Sequence, residues 1–478
     1  MKKTQLVFVP APGFGHLVPA VQLAKMVLER NDSFLITMLA IHNPFDGGIS
    51  KNTESLASIH TEIRFIEIPE TIPAPPPDAL AVSPASAFTS YINDHKTLVK
   101  DTIVNLVMAH NPAPIASVVV DMFCTAFIDV SKELGVPSHV FYTCDAAFLA
   151  LTLYLSDRED KGEPKFSPTD PDYIIPCYSN PVPYRVMPLL HTDVAYEAIA
   201  NHGRKFKESN GIIVNTFSEA ESHAVSALLA RDDIPPIFNV GPLIDHRGKS
   251  LSGSDAVKRD EILKWLDDQP EKSVVFLCFG SRGCFDEAQL KEIAIGLERS
   301  GQRFLWSIRL KPSKGKLQAS FFDNYGEILP QGFLERTKNI GMLCGWAPQV
   351  EILAHKAVGA FVSHCGWNST LETLWYAVPI ITWPLHAEQH MNAFQLVKDL
   401  GLAVELTLDF RRDCPTDFVK AEVITKAVKT VMEHGGELRN KAKETSEMAK
   451  KAVMEGGSSY VAFGNLIDQW LGSKPRRA

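Results

Sequence analysis

The feature that most constrains this chain is an alternation, repeated in two halves, of short apolar runs with amphipathic segments of helical period. In the first half, apolar runs at residues 6–9, 34–41, 115–120, 138–141 and 212–215 have the length and continuity of strands buried on both faces. Amphipathic segments such as 17–29 and 125–134 separate them. The second half repeats the pattern, with runs at 274–279, 304–308, 342–344, 360–363 and 380–382. Helical segments at 287–299, 349–355, 369–376 and 389–400 lie between these runs. Such alternation implies right-handed crossovers and a parallel sheet covered on both sides. The expected fold is α/β, with two doubly wound parallel-sheet domains facing across a cleft. A length of 478 residues, more than one ordinary core organises, agrees with two domains. A stretch rich in Gly, Ser and charge from 241 to 256 places a linker at 241–260, between domains at 1–240 and 261–455. A last segment, 456–478, opens with Gly456-Gly457-Ser458-Ser459 and is expected to carry a helix that packs back on the first domain. Proline-rich stretches at 73–77 and 163–188 read as surface loops.

Several functions are excluded before any site is sought. Net charge is −8 and the pI is near 6.0, so no basic excess exists to neutralise a nucleic-acid backbone. The basic run Lys474-Pro475-Arg476-Arg477 reads as a solvated tail. The apolar run after Met1-Lys2-Lys3 is too short for a signal-peptide core, and the longest apolar stretch, 146–155, is about half of a membrane span. The eight cysteines are scattered with no metal-ligand spacing and read as buried thiols in a reducing compartment, so a cytoplasmic protein is expected. Gly13 and Gly15 follow the first strand, but Val18 replaces the third glycine of a dinucleotide fingerprint. Gly248-Lys249-Ser250 lacks the first glycine of a phosphate loop, because Leu243 stands there. Asp170-Pro171-Asp172 could pair two carboxylates on a metal, but its proline-rich setting favours a turn, and no metal site is expected.

The informative stretch is 346–389. The strand at 360–363 breaks into His364-Cys365-Gly366, and Asn368 and Ser369 suit the start of the following helix. Helix-start N–H groups, an imidazole and a hydroxyl together make an anion site suited to a diphosphate. Glu372, one turn further on, is placed to accept ribose hydroxyls, Trp346 to offer a flat face to a base, and Glu388 and Gln389 to hold sugar hydroxyls. Singly, each residue is better explained as packing or capping. Together, donors and acceptors at three consecutive strand ends are not.

This stretch resembles the signature box of plant family-1 UDP-dependent glycosyltransferases. The match runs from Trp346-Ala347-Pro348-Gln349 through His364-Cys365-Gly366-Trp367-Asn368-Ser369 to Ala387-Glu388-Gln389, and extends to Phe279-Gly280-Ser281 and the N-terminal Pro12-Gly13-Phe14-Gly15-His16-Leu17. The resemblance implies the GT-B fold of two Rossmann-like domains. It implies Trp346 stacked on uracil with Ala347 and Gln349 beside it, Glu372 on ribose, and His364, Asn368, Ser369 and Ser281 on the diphosphate. Trp367, Glu388 and Gln389 would hold the sugar, with Thr143 meeting it from the first domain. Gln389 points to glucose, so UDP-glucose is the expected co-substrate, without a metal or other cofactor. Ala377 departs from the glycine common in the family.

Transfer to a hydroxyl needs a base near neutrality, which His supplies. His16 stands where the first strand turns into the first helix, whose N-terminus disfavours a charged imidazole, and Asp121 ends another strand of the same sheet. By the resemblance these are the catalytic base and its partner in an inverting single displacement. Phe14, Phe88, Phe123, Phe148, Met187 and Ala387 are candidates to line an acceptor pocket, and several could equally be core. The family's acceptors imply a small lipophilic hydroxylated partner of phenolic, flavonoid or terpenoid type, and a monomer, in plant specialised metabolism. A silent UDP-sugar sensor and a GT-B-type epimerase are the competing readings.

Overall fold

The computed structural model describes residues 3–472 except 44–48, 77, 80–82, 110–111, 188–192, 247–253, 311–323, 412–413 and 415. The Gly248-Lys249-Ser250 stretch and the basic run at 474–477 therefore lie outside the described residues.

The first sheet is built from β1 (Thr4–Val9), β2 (Phe34–Ala40), β3 (Ile63–Glu67), β4 (Ile115–Asp121), β5 (Ser138–Tyr142), β6 (Ile212–Val214) and β7 (Ile237–Asn239). Its order is β3-β2-β1-β4-β5-β6-β7, and all its pairings are parallel. The second sheet comprises β8 (Val274–Cys278), β9 (Arg303–Ser307), β10 (Gly341–Cys344), β11 (Val358–Ser363), β12 (Ile380–Thr382) and β13 (Ala403–Glu405). Its order is β10-β9-β8-β11-β12-β13, again parallel throughout. In both, the order reverses beside the first strand. That switch point opens a crevice at the carboxyl edge.

Strand alternation explains why both faces are covered. Leu6 and Phe8 face one side with Phe141 and Ile213, while Val7 and Val9 face the other with Val118 and Val140. In the second sheet Val275 and Leu277 pack toward the helices Glu287–Ser300 and Ala421–His434, and Val274 and Phe276 toward Ile262 and Leu266.

Two observations bear on how the chain is partitioned. The helix Ser254–Asp267, which carries Ile262 and Leu266, begins inside the stretch expected to be linker. The helix Ser458–Trp470 lies on the first sheet, with Phe463, Leu466, Ile467 and Trp470 in one core with Leu6, Phe34 and Phe141. Among the described residues no helix is long and apolar enough to cross a membrane. All eight cysteines are free thiols, and Cys344 and Cys414 are partly exposed where full burial was expected. Asp170 holds a turn, accepting from the Ser167 amide at 3.1 Å and from the Tyr173 hydroxyl.

Candidate active site

The carboxyl edges of the two sheets meet. β1 leads into the helix Phe14–Arg30, which places His16 in its first turn, with no side-chain cap on the helix start. β4 ends on Asp121, a neighbouring strand end, and the two side chains join: His16 Nδ1 lies 2.9 Å from Asp121 Oδ2. The other Asp121 oxygen accepts the Phe123 amide at 3.0 Å, so both carboxylate oxygens are fixed and the ring is oriented. Thr143, just beyond β5, puts its hydroxyl 3.1 Å from the same Nδ1. Asp121 is buried, whereas His16 keeps a quarter of its side chain open.

Burial alone would lower the His16 pKa. The charge and hydrogen bond of Asp121, helped by the charge of Glu388 across the cleft, outweigh burial and raise it, with the charge of Arg282 acting in opposition. The expectation that the helix start keeps this imidazole from charging is thus corrected: two nearby carboxylates dominate.

On the facing sheet, β11 ends at Ser363 and the helix Trp367–Trp375 starts after Gly366 without a side-chain cap, which leaves its first N–H groups to a ligand. His364 sits in a slot made by two glycines: a Cβ on Gly280 or on Gly366 would come within 2.6 Å of its Nε2. Burial, then the charge of Arg309, holds the His364 pKa down at about 4, so it is a neutral hydrogen-bonding group. Its Nδ1 and the Asn368 side-chain oxygen are buried with no protein partner, two unspent polar atoms at the helix start. Asn368 donates across the cleft to the Gly15 carbonyl at 2.8 Å, tying this turn to the one that carries His16.

Glu372 accepts from Gln349 Nε2 at 2.7 Å, and the same Nε2 lies 2.8 Å from Ser369 Oγ. Gln349, expected beside a base, is therefore part of the carboxylate's setting. Burial raises the Glu372 pKa to about 7 against that hydrogen bond. Trp346 and Ala347, after β10, are half-buried at the same edge, and Ser281 is exposed on the loop after β8.

Three expectations need amending. The Trp367 indole is buried and donates to the Asn215 carbonyl of the other sheet at 2.6 Å, so its side chain joins the two sheets and does not reach toward a sugar. The Gln389 side-chain oxygen accepts from the Leu385 and His386 amides at 3.0 and 3.1 Å, which shapes its own turn. Phe148 and Met187 are 7% and 2% exposed and belong to the first domain's core, because packing against the sheet consumes their surface. Phe88 and Phe123 do stand near the pair, with Phe123 5.4 Å from the His16 ring and 6.3 Å from Phe88. Phe14 is half-buried at the helix start, and Ala387 is exposed beside Glu388 with φ +57°. Glu388 itself is held above the usual carboxylate range by burial.

The reading of the sequence missed three residues. His202 is buried with its ring 5.8 Å from Phe123 and its Nδ1 3.0 Å from Thr125 Oγ1, and a lone histidine in a helix gave no signal. Arg282 and Arg309 follow β8 and β9, and their position just beyond strand ends was the available clue.

Two Rossmann-like domains whose carboxyl edges meet, with an uncapped helix start on one edge and a His–Asp pair on the other, define the class of GT-B-type glycosyltransferases. Residues 251–443 match the family model described as UDP-glucoronosyl and UDP-glucosyl transferase. The chain is 48% identical to UDP-glycosyltransferase 71K1 of Malus domestica over 99% of this chain and 100% of that one. It is 40% identical to the flavonol 3-O-glucosyltransferase UGT71C4 of Arabidopsis thaliana over 98% of each. The crystal structure of Medicago truncatula UGT71G1 complexed with UDP-glucose superposes with a TM-score of 0.88 at 41% identity, covering 98% of both chains. The chain belongs to the plant family-1 UDP-glycosyltransferases.

Proposed function

We propose that this enzyme moves glucose from UDP-glucose to a hydroxyl of a small lipophilic acceptor, of phenolic, flavonoid or terpenoid type, with inversion at the anomeric carbon. The observation that carries the reading is the His16–Asp121 pair at 2.9 Å, facing Glu388 where the two sheets meet. With Nδ1 held by Asp121, Nε2 is the ring nitrogen that takes the acceptor's proton. The acceptor oxygen then bonds to the sugar carbon as the bond to the diphosphate oxygen breaks, and UDP leaves with that electron pair. Asp121 stabilises the imidazolium formed. Phe88 and Phe123 offer aromatic edges to the acceptor. Trp346, Ala347, Glu372, Ser369, Asn368, His364 and Ser281 form the donor side, and Glu388 with the Nε2 of Gln389, whose oxygen is spent in its own turn, the sugar end. The relative complexed with UDP-glucose and the flavonol 3-O-glucosyltransferase support the sugar and the acceptor class. The reaction is read as needing no metal, in a cytoplasmic monomer. An oriented base of this kind favours an active enzyme over a silent sensor.

The test is His16→Ala. It is expected to lower turnover of a phenolic acceptor with UDP-glucose by roughly a hundredfold or more while UDP affinity stays within about twofold. Retained turnover in that variant would sink the assignment.

A further inference from the structure

The donor's diphosphate enters a cleft already lined by carboxyl groups. Asp121, Glu372 and Glu388 all converge on it, and the diphosphate of the donor read above is itself doubly charged. His364, the imidazole at the anion site, is neutral. Helix-start N–H groups supply only partial charge. A formal positive charge is needed where the leaving diphosphate gains its electrons.

Two guanidiniums are in place. Arg309 follows β9, the sheet neighbour of β8, and donates through Nη1 to the carbonyl of Ser281 on the loop after β8. That loop lies against His364, since Gly280 leaves no room for a Cβ there. Arg309, Ser281, Gly280 and His364 thus form one contiguous wall of the anion site, and the charge of Arg309 bears directly on the His364 ring. Arg282 is next to Ser281 on the same loop and exposed, so it belongs to the same wall that Gly280 presses against His364.

We propose that Arg309 and Arg282 bracket the UDP diphosphate and supply its balancing charge, Arg309 also setting the loop through Ser281 and Arg282 facing the departing phosphate from the loop's tip. Arg309 is in part a positioning residue, acting through the Ser281 backbone. Both would favour the products' side of the transfer, where charge on the diphosphate has grown. The inference rests on the donor reading given above.

The experiment is calorimetric titration of the full chain with UDP and, separately, with uridine. Wild type, Arg282→Met, Arg309→Met, Arg309→Lys and the Arg282→Met/Arg309→Met double variant are compared. Uridine makes the base and ribose contacts but carries no phosphate. The double variant is expected to lose about tenfold or more in UDP affinity with uridine affinity unchanged, and the salt dependence of UDP binding to weaken. Arg309→Lys, which keeps the charge, is expected to retain most of the affinity that Arg309→Met loses. UDP binding within twofold of wild type in the double variant would overturn the proposal. So would equal losses for UDP and uridine, which mark a general defect, and Arg282→Met, on an exposed loop, tests the charge independently of that outcome. Failure of the wild-type chain to bind either compound would instead overturn the donor assignment itself.

Discussion

Glu372 shows how a single carboxyl can couple nucleotide binding to pH. In the open site its pKa is about 7, because burial costs the charged form more than the Gln349 hydrogen bond returns. On the donor reading proposed above, ribose hydroxyls would donate to it and the ionised form would accept best, so binding would draw its pKa down and release a proton. UDP affinity is therefore expected to fall by up to about tenfold per pH unit as pH drops below about 7. Glu372→Gln should bind UDP more weakly and with little pH dependence, as calorimetry between pH 6 and 8 will check. The stability sign runs the other way. A pKa raised in the fold from 4.5 favours folding below that value, and the contribution is lost as pH rises through about 7, so Glu372→Gln is expected to melt higher than wild type at pH 8 without ligand. Resemblance assigned this carboxyl a role on the donor side, but residue identity gave no sign of its protonation. That depends on the side chains packed around it, as does the inward turn of Trp367 and Gln389 toward structural partners.

The element that carries Glu372 ends under strain. After the helix Trp367–Trp375, the Val378 amide donates to the Thr373 carbonyl at 3.1 Å and the Ala377 amide to Leu374 at 3.2 Å, a Schellman closure that requires a left-handed residue. Ala377 supplies it with φ +58°. The left-handed conformation costs an alanine about 1–2 kcal/mol, and glycine gives back about 0.5–1 kcal/mol of that in chain entropy. Ala377→Gly is thus expected to stabilise the protein by about 0.5–1 kcal/mol in urea denaturation with donor KM unchanged. The departure at Ala377 was visible in the sequence, but its cost was not, because a backbone dihedral leaves no mark on residue type. Legibility at this scale followed burial. Strands such as β1 and β8, apolar on both faces, were plain as continuous runs. β3, with Arg64 and Glu67, and the three-residue β7 and β13 were missed, because edge and short strands need little apolar surface.

At the scale of the molecule, hydrogen bonds bridge the sheets. Trp367 reaches Asn215, Asn368 reaches Gly15, Gln395 donates to the buried Glu221 at 3.0 Å, and Asp399 accepts from the Ser179 and Asn180 amides at 3.2 and 3.1 Å. Trp367→Phe keeps an aromatic ring but removes the indole N–H and strands the Asn215 carbonyl, a loss of about 1–3 kcal/mol. The expected result is a lower urea midpoint and a larger radius of gyration by X-ray scattering in the free enzyme, with UDP restoring compactness. None of these bridges was legible beforehand, since they join residues far apart in sequence and depend on how two separately wound sheets are docked.

The helix Ser458–Trp470, seated against β2 and β5 through Phe34 and Phe141, follows every strand of the second sheet in the chain and is synthesised after them. During synthesis the part of this sheet face that the helix Phe14–Arg30 does not cover, around Phe34 and Phe141, therefore waits for its last layer. The two halves cannot mature one after the other like beads on a string. The first half is finished last, when its covering helix arrives, so a newly made molecule completes its second half before it has a finished partner to face.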